Sequence, residues 1–218
     1  AAPSLGLEKV SILDALGRVL GEDIVAERDN PPWDNSAMDG FAVRWEDIKQ
    51  EHAIQKPVTL SVIEDVPAGT MPSKTVGSGQ AIRIMTGAPI PRGADTVLKV
   101  EDTEQGPDLV RVFQAEPKGA NIRPQGEDVK KGDCIIAKGT RIRAGEVGML
   151  AILAKSFVFV HQRPRVAILS TGDELADLDE RFSEEKIINS NSYGIAAAVQ
   201  EAGGIPFLLG IARDTPAA

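Results

Sequence analysis

Two acidic groups stand at the ends of apolar runs. "RVAILS" (165–170) leads into "TGDEL", with Thr171, Gly172, Asp173 and Glu174; "IPFLLGI" (205–211) leads into "ARDT", with Asp214 and Thr215. If the two runs pair as parallel strands, roughly 5 Å apart, the carboxylates of Glu174 and Asp214 converge on one sheet edge. Like charges gathered that closely raise each other's pKa unless a cation neutralises them. A hard cation such as Mg²⁺, held by one or two carboxylates plus substrate phosphates, meets that demand. The same acids serve equally well as caps of the segments that follow. A further acid, Asp39, closes the polar run "DNPPWDNSAMDGFAVR" (29–44). There the prolines and Trp33 set an extended entry, Asn35 and Ser36 make a turn, and Gly40 lets the backbone come close to a ligand. Asp39 either shapes that turn or holds something that is not protein.

Other polar exits are less specific. In "IMTGAPIPRGAD", Thr86-Gly87 ends a strand, so the Thr86 hydroxyl is placed to donate to an oxyanion or simply to make a turn. In "NIRPQGEDVKKGD", Arg123 and the pair Glu127-Asp128 flank Gly126, the pattern of a hairpin turn.

The elements that must position these groups follow from periodicity. Val10, Leu13, Leu16 and Leu20 have helical spacing, which predicts a short amphipathic helix ending at Gly21, with a strand in "DIVAERD" after it. From 56 to 136, "PVTLSVIEDV", "QAIRIMTGA", "TVLKVEDTE", "DLVRVFQAE" and "CIIAKG" are short β-branched runs punctuated by Gly, Pro and Asp, the mark of a β-rich module. A helix over 144–155, with Val147, Leu150 and Ile152 as its apolar stripe, and a strand come next. "RVAILS" reads as a strand buried on both faces. "NSNSYGIAAAVQEAGG" reads as a helix capped by Asn and Ser and stopped at Gly203-Gly204, and "IPFLLGI" as a second buried strand. Together they predict a right-handed parallel βαβ unit. Two such strands cannot bury themselves, so the chain is expected to be part of a larger protein. "ELADLDERFSEEKII" (174–188) reads as a solvated charged loop or short helix. The expected organisation is a small mixed domain from 1–25 and 133–160, an inserted β-rich domain over 26–132, and an α/β segment over 161–218.

Composition narrows the chemistry. The net charge of −8 on 218 residues repels a phosphate backbone, so no nucleic-acid partner is expected. No apolar stretch is long enough to span a bilayer, and "AAPSLGLEKV" lacks a signal pattern. Cys134 is the single cysteine, so no intrachain disulfide forms and a cytoplasmic setting is expected. There is no GxxxxGK[ST] and no GxGxxG opening a helix. His52 and His161 have no metal-ligand spacing, which argues against zinc.

Taken in order, "WDNSAMDGFAVR" (33–44), "AIRIMTGAPIPRGADTV" (81–97), "NIRPQGEDV" (121–129), "AILSTGDEL" (167–175) and "GIARDT" (210–215) resemble the molybdopterin molybdenumtransferase family, the MoeA-type proteins related to the C-terminal part of gephyrin. The resemblance implies a multidomain α/β plus β-rich fold: the two-segment small domain, the inserted β-rich domain, and the first part of a three-layer, MogA-like α/β domain. It implies Mg²⁺-dependent insertion of molybdate into adenylylated molybdopterin with release of AMP, by a homodimer whose active site lies at the subunit interface. Carried over by position, the catalytic residues are Asp39, Thr86, Asp128, Glu174 and Asp214, with Asp39, Asp128, Glu174 and Asp214 toward the metal and Ser170, Thr171, Gly172 and Asp173 toward the pterin nucleotide. Many relatives have Asp where Asn189 stands, so Asn189 receives no catalytic role. The family's later lysine-bearing segment is absent here, and the chain alone is expected to be inactive. A gephyrin-like scaffold is the alternative the resemblance leaves, and tungstate is not separable from molybdate.

Overall fold

The computed structural model describes residues 5–49, 57–180 and 185–214; His52 and Thr215 lie outside the described residues. Along the chain come β1 (Leu7–Ser11), β2 (Ile24–Val25), β3 (Asn35–Ser36), β4 (Gly40–Val43), α1 (Trp45–Ile48), β5 (Val58–Val66), β6 (Gln80–Ile84), β7 (Thr96–Lys99), β8 (Thr103–Gln105), β9 (Leu109–Val112) and β10 (Ile122–Arg123). After them follow β11 (Cys134–Ile136), α2 (Ala144–Ile152), β12 (Phe157–His161), β13 (Arg165–Thr171), β14 (Leu175–Ala176), β15 (Ile187–Ile188), α3 (Ser190–Glu201) and β16 (Ile205–Ala212). The chain divides into two compact units, 25–135 and 1–24 with 136–218. None of the described helices is long and apolar enough to cross a membrane.

The unit 25–135 is built on a six-stranded sheet in the order β7-β4-β6-β5-β9-β8. Only β5 and β6 run parallel; the other neighbours are antiparallel. Alternation along β4 sorts its side chains between two cores. Phe41 and Val43 pack with Leu60, Leu98, Val110 and Val112 on one face, while Ala42 packs with Val66, Ile82, Ile84 and Val97 on the other. With both faces covered, all four residues of β4 are buried. Each large apolar side chain buried in this way contributes about 1.5–3 kcal/mol over exposure. That rigid strand is what carries Asp39, the residue just before it.

In the other unit the expected N-terminal helix does not form. Leu7–Ser11 instead pairs antiparallel with Phe157–His161. The strand is closed by a local turn, in which Ser11 Oγ accepts from Asp14 N at 3.2 Å and donates to Asp14 Oδ2 at 2.7 Å. The next backbone groups bond across the chain: Gly17 N to Ile142 O, Leu20 N to Thr140 O, and Ile142 N to Arg18 O. Leu13 and Leu16 are left exposed while Ala15 and Leu20 are buried. Long-range pairing has overridden a helical spacing that local propensity alone would have used. The helix expected over 144–155 stops at Ile152, and Ala154 adopts a left-handed conformation (φ 56). Of its proposed stripe only Leu150 is buried; Ile152 is exposed.

β13 and β16 pair in parallel, with α3 between them in sequence and packed against both. Neither strand is buried on both faces as its apolar run suggested. Ile168 is the buried residue of β13, and Leu169, Phe207 and Leu209 are all exposed. One helix covers one face of a two-stranded sheet and leaves the other open. Within 174–188, β14 and β15 form a short parallel pair. The fold class expected from the resemblance, multidomain and β-rich, is borne out.

Candidate active site

The expected residues divide by unit, with Asp39, Thr86 and Asp128 in 25–135 and Glu174 and Asp214 in the other.

Asp39 sits on the bend between β3 and β4. Asn35 and Ser36 are not the turn itself: they pair with Arg123 and Ile122 of β10. The bend begins after them, with Ser36 Oγ accepting from Met38 N at 3.2 Å and donating to Met38 O at 2.5 Å. The loop after β6 is stitched to the same segment, through Gly87 N to Ser36 O at 2.8 Å and Ser36 N to Ala88 O at 3.0 Å. This brings Thr86 beside Asp39. Thr86 donates twice to Asp39 Oδ1, from its backbone N and from Oγ1, each at 2.7 Å. The Thr86 hydroxyl proton is therefore spent on Asp39 and not offered to a ligand. Asp39 Oδ2 accepts no hydrogen bond among the described residues, and the side chain is exposed.

The Thr86 N–H, then its hydroxyl, then more weakly the Arg83 charge hold the Asp39 carboxyl below its ordinary value of 3.8. A folded pKa below the unfolded one means the contact stabilises above the unfolded value and is lost as pH falls through the folded one. In a carboxyl carbon NMR titration, Asp39 is expected to show a midpoint below 3.8. Thr86→Ala moves it only part of the way back, because the backbone N–H remains. A midpoint at the ordinary value in the wild type would contradict this geometry.

Gly40 plays a part other than the expected one. A Cβ there would lie 1.8 Å from the Leu98 carbonyl oxygen of β7. Its missing side chain admits a neighbouring strand, not a ligand.

Asp128 is already paired. Arg123 Nη2 donates to both its oxygens at 3.1 and 2.9 Å, and Arg123 Nε donates to Glu127 at 3.1 Å. The two carboxylates raise the Arg123 pKa, Glu127 foremost. The turn is fixed by Asp128 N and Val129 N donating to Asn30 O. Since Arg123 lies opposite Asn35 in the β3–β10 ladder, the pair is carried by the strand beside the one that leads into the Asp39 bend.

In the other unit, Thr171 pairs with Ala212, which sets the two polar exits side by side. Asp214 N donates to Asp173 Oδ1 at 3.3 Å, so the direct link is to Asp173 and not to Glu174. The Glu174 carboxylate lies over Gly172, where an added Cβ would be 2.6 Å from each of its oxygens. Arg213 ties the exits together, Nη1 donating to the carbonyls of Gly172, Asp173 and Leu175 at 3.2, 3.3 and 2.9 Å. The sequence reading passed over Arg213. The signal was there, a lone cation between an apolar strand and an acid. Ser170 turns toward α3, with Oγ 3.1 Å from Asn189 Oδ1 and 2.6 Å from Ser192 Oγ. Asn189 is the N-cap of α3, accepting from Ser192 N. Ser170 and Asn189 thus anchor the helix to the strand.

Every donor in these two groups that a cation would use is a carboxylate oxygen, the chemistry Mg²⁺ prefers. Among the described residues no three of His, Cys, Asp and Glu converge as a metal-binding group. The donor set thus suits an ion held by one or two carboxylates and completed by a substrate's oxygens.

Residues 2–154 match the family model for the MoeA N-terminal region, domains I and II. This chain belongs to the MoeA family. It is 41% identical over 211 residues to a molybdopterin molybdenumtransferase of Nostoc sp., covering 97% of this chain and 48% of that protein. The Bacillus subtilis molybdopterin molybdenumtransferase is 40% identical, with 95% of this chain and 49% of the relative covered. Among solved structures, the molybdopterin biosynthesis MoeA protein from Pyrococcus horikoshii OT3 superposes with a TM-score of 0.86 at 40% identity, over 97% of this chain and 56% of that one. The chain thus spans about half the length of the curated relatives it matches. The family resemblance read from the five motifs is borne out.

Proposed function

We propose that the protein containing these residues acts in molybdenum cofactor biosynthesis, inserting molybdate into adenylylated molybdopterin with release of AMP. The observation that carries this reading is Asp39: an exposed carboxylate kept ionised and fixed through one oxygen by Thr86, with its other oxygen open. Family membership and the relatives' names supply the substrate class. In this reading Asp39 and Asp128 from one protomer, and Glu174 and Asp214 from a second copy of the chain, surround the substrate's phosphates in a homodimer. Mg²⁺ at these acids would neutralise charge on the phosphoanhydride as it breaks. Thr86 holds Asp39 in one rotamer. Arg123 shares Asp128, and Arg213 keeps the Gly172–Leu175 backbone in place beneath the nucleotide. Ser170 orders the strand end next to Thr171, Gly172 and Asp173, and a cytoplasmic setting accompanies the reaction.

The test is AMP release by the full-length protein supplied with adenylylated molybdopterin, molybdate and Mg²⁺. Turnover is expected, with little or none from the 218-residue chain alone. A full-length protein that binds both substrates and releases no AMP would refute the assignment.

A further inference from the structure

One concavity reverses the charge of the protein around it. In the unit formed by 1–24 and 136–218, a cavity of about 300 Å³ is lined by Arg18, Arg141, His161, Gln162 and Arg163, with Ala202 and Gly203 at the end of α3. Among the described residues no acidic side chain lines it, although the whole chain carries a net charge of −8. The Arg18 side chain is only 9% exposed. Its Nη2 donates to Glu8 Oε1 and, at 2.7 Å, to the His161 carbonyl, and its other side-chain nitrogens make no hydrogen bond among the described residues. Arg141 is placed next to Arg18 by the ladder in which Val19 bridges Arg141 and Ile142 N donates to Arg18 O. Arg163 comes just after β12, with Gln162 between them. Neither Arg141 nor Arg163 has an ion-pair partner among the described residues.

The charge balance decides what the cavity accepts. Three guanidinium groups less the Glu8 carboxylate leave two positive charges. The C-terminal end of α3 offsets roughly half a unit of that. A net positive hollow with one cation already fixed and nearly buried is organised for an anion, and guanidinium forks match the paired oxygens of phosphate. The volume is at the lower end of the roughly 300–1,000 Å³ usual for small-molecule sites, too small for a polymer. We propose that this cavity binds a small tetrahedral dianion of the phosphate class. None of the acids discussed above is among its lining residues, and the proposal does not depend on the transferase reading.

Titration calorimetry of the full-length protein with inorganic phosphate, at ionic strength held constant with chloride, tests it. Saturable binding is expected, about tenfold weaker for Arg141→Ala or Arg163→Ala alone and lost in the double variant. Both side chains are exposed, and an unchanged Tm without phosphate verifies that the variants fold. Amide resonances give a readout independent of any variant, with phosphate-induced shifts expected at Gly17, Gln162 and Gly203. Absence of saturable binding, undiminished affinity in the double variant, or shifts centred elsewhere would each overturn the proposal.

Discussion

Asp39→Asn in the full-length protein is expected to lower AMP release by about 100- to 1,000-fold, the scale seen when one preorganised electrostatic group is removed from an active site. Asparagine keeps the shape and an acceptor oxygen, so the bonds from Thr86 N and Oγ1 can persist. It removes the charge and the open anionic oxygen that would face a cation or its phosphates. Because the side chain is exposed, Tm should stay within about 2 °C of wild type. Thr86→Val separates charge from placement. It keeps the backbone donor and the carboxylate but deletes the hydroxyl, so its loss should be smaller, about tenfold, and fall mainly on kcat. Full turnover by Asp39→Asn would reduce Asp39 to a turn former. A loss of activity matched by a large fall in Tm would do the same.

The sequence announced the pieces of the site better than the contacts between them. Acids at the ends of apolar runs pointed to polar strand exits, and β13 and β16 do pair in parallel to set two of those exits together. What linked them was harder to read: Arg213 stands out as a lone cation between an apolar run and an acid, but its three carbonyl partners leave no side-chain pattern. Thr86 was legible without its partner: a hydroxyl at a strand end looks available until its neighbour 47 residues away is placed against it. The lost N-terminal helix has a similar cause. Its leucine spacing was real, but the backbone donors of Gly17 and Leu20 bond to Ile142 and Thr140, a partnership that no local window contains. The β-rich module, by contrast, was legible because β-branched runs and their Gly, Pro and Asp stops are local signals, and within it β4 divides its side chains between two cores.

Gly40→Ala is the substitution expected to cost most stability. Gly40 pairs with Ile84 on one side and Lys99 on the other, so β4 is held between β6 and β7. The new methyl group would sit 1.8 Å from Leu98 O and 2.9 Å from Leu98 C, both backbone atoms of β7. A flexible side chain could swing away; a strand in register cannot, and moving β7 would disturb Val97 and Leu98 in the two cores. The cost should reach about 3 kcal/mol or more, at the upper end for overpacking. At roughly 2–4 °C per kcal/mol for a chain of this size, Tm should drop by about 6–12 °C. In urea the midpoint should fall with the slope unchanged. Gly148→Ala is the matched control: on α2 an added Cβ meets nothing within 4 Å, so the helix should gain about 0.5–1 kcal/mol instead. The pair distinguishes two uses of a glycine next to an active-site acid. If Gly40→Ala kept its Tm but lost AMP release, the space beside Asp39 would belong to a ligand after all. If Tm falls as expected, glycine stands after Asp39 because β7 leaves no room there for a side chain.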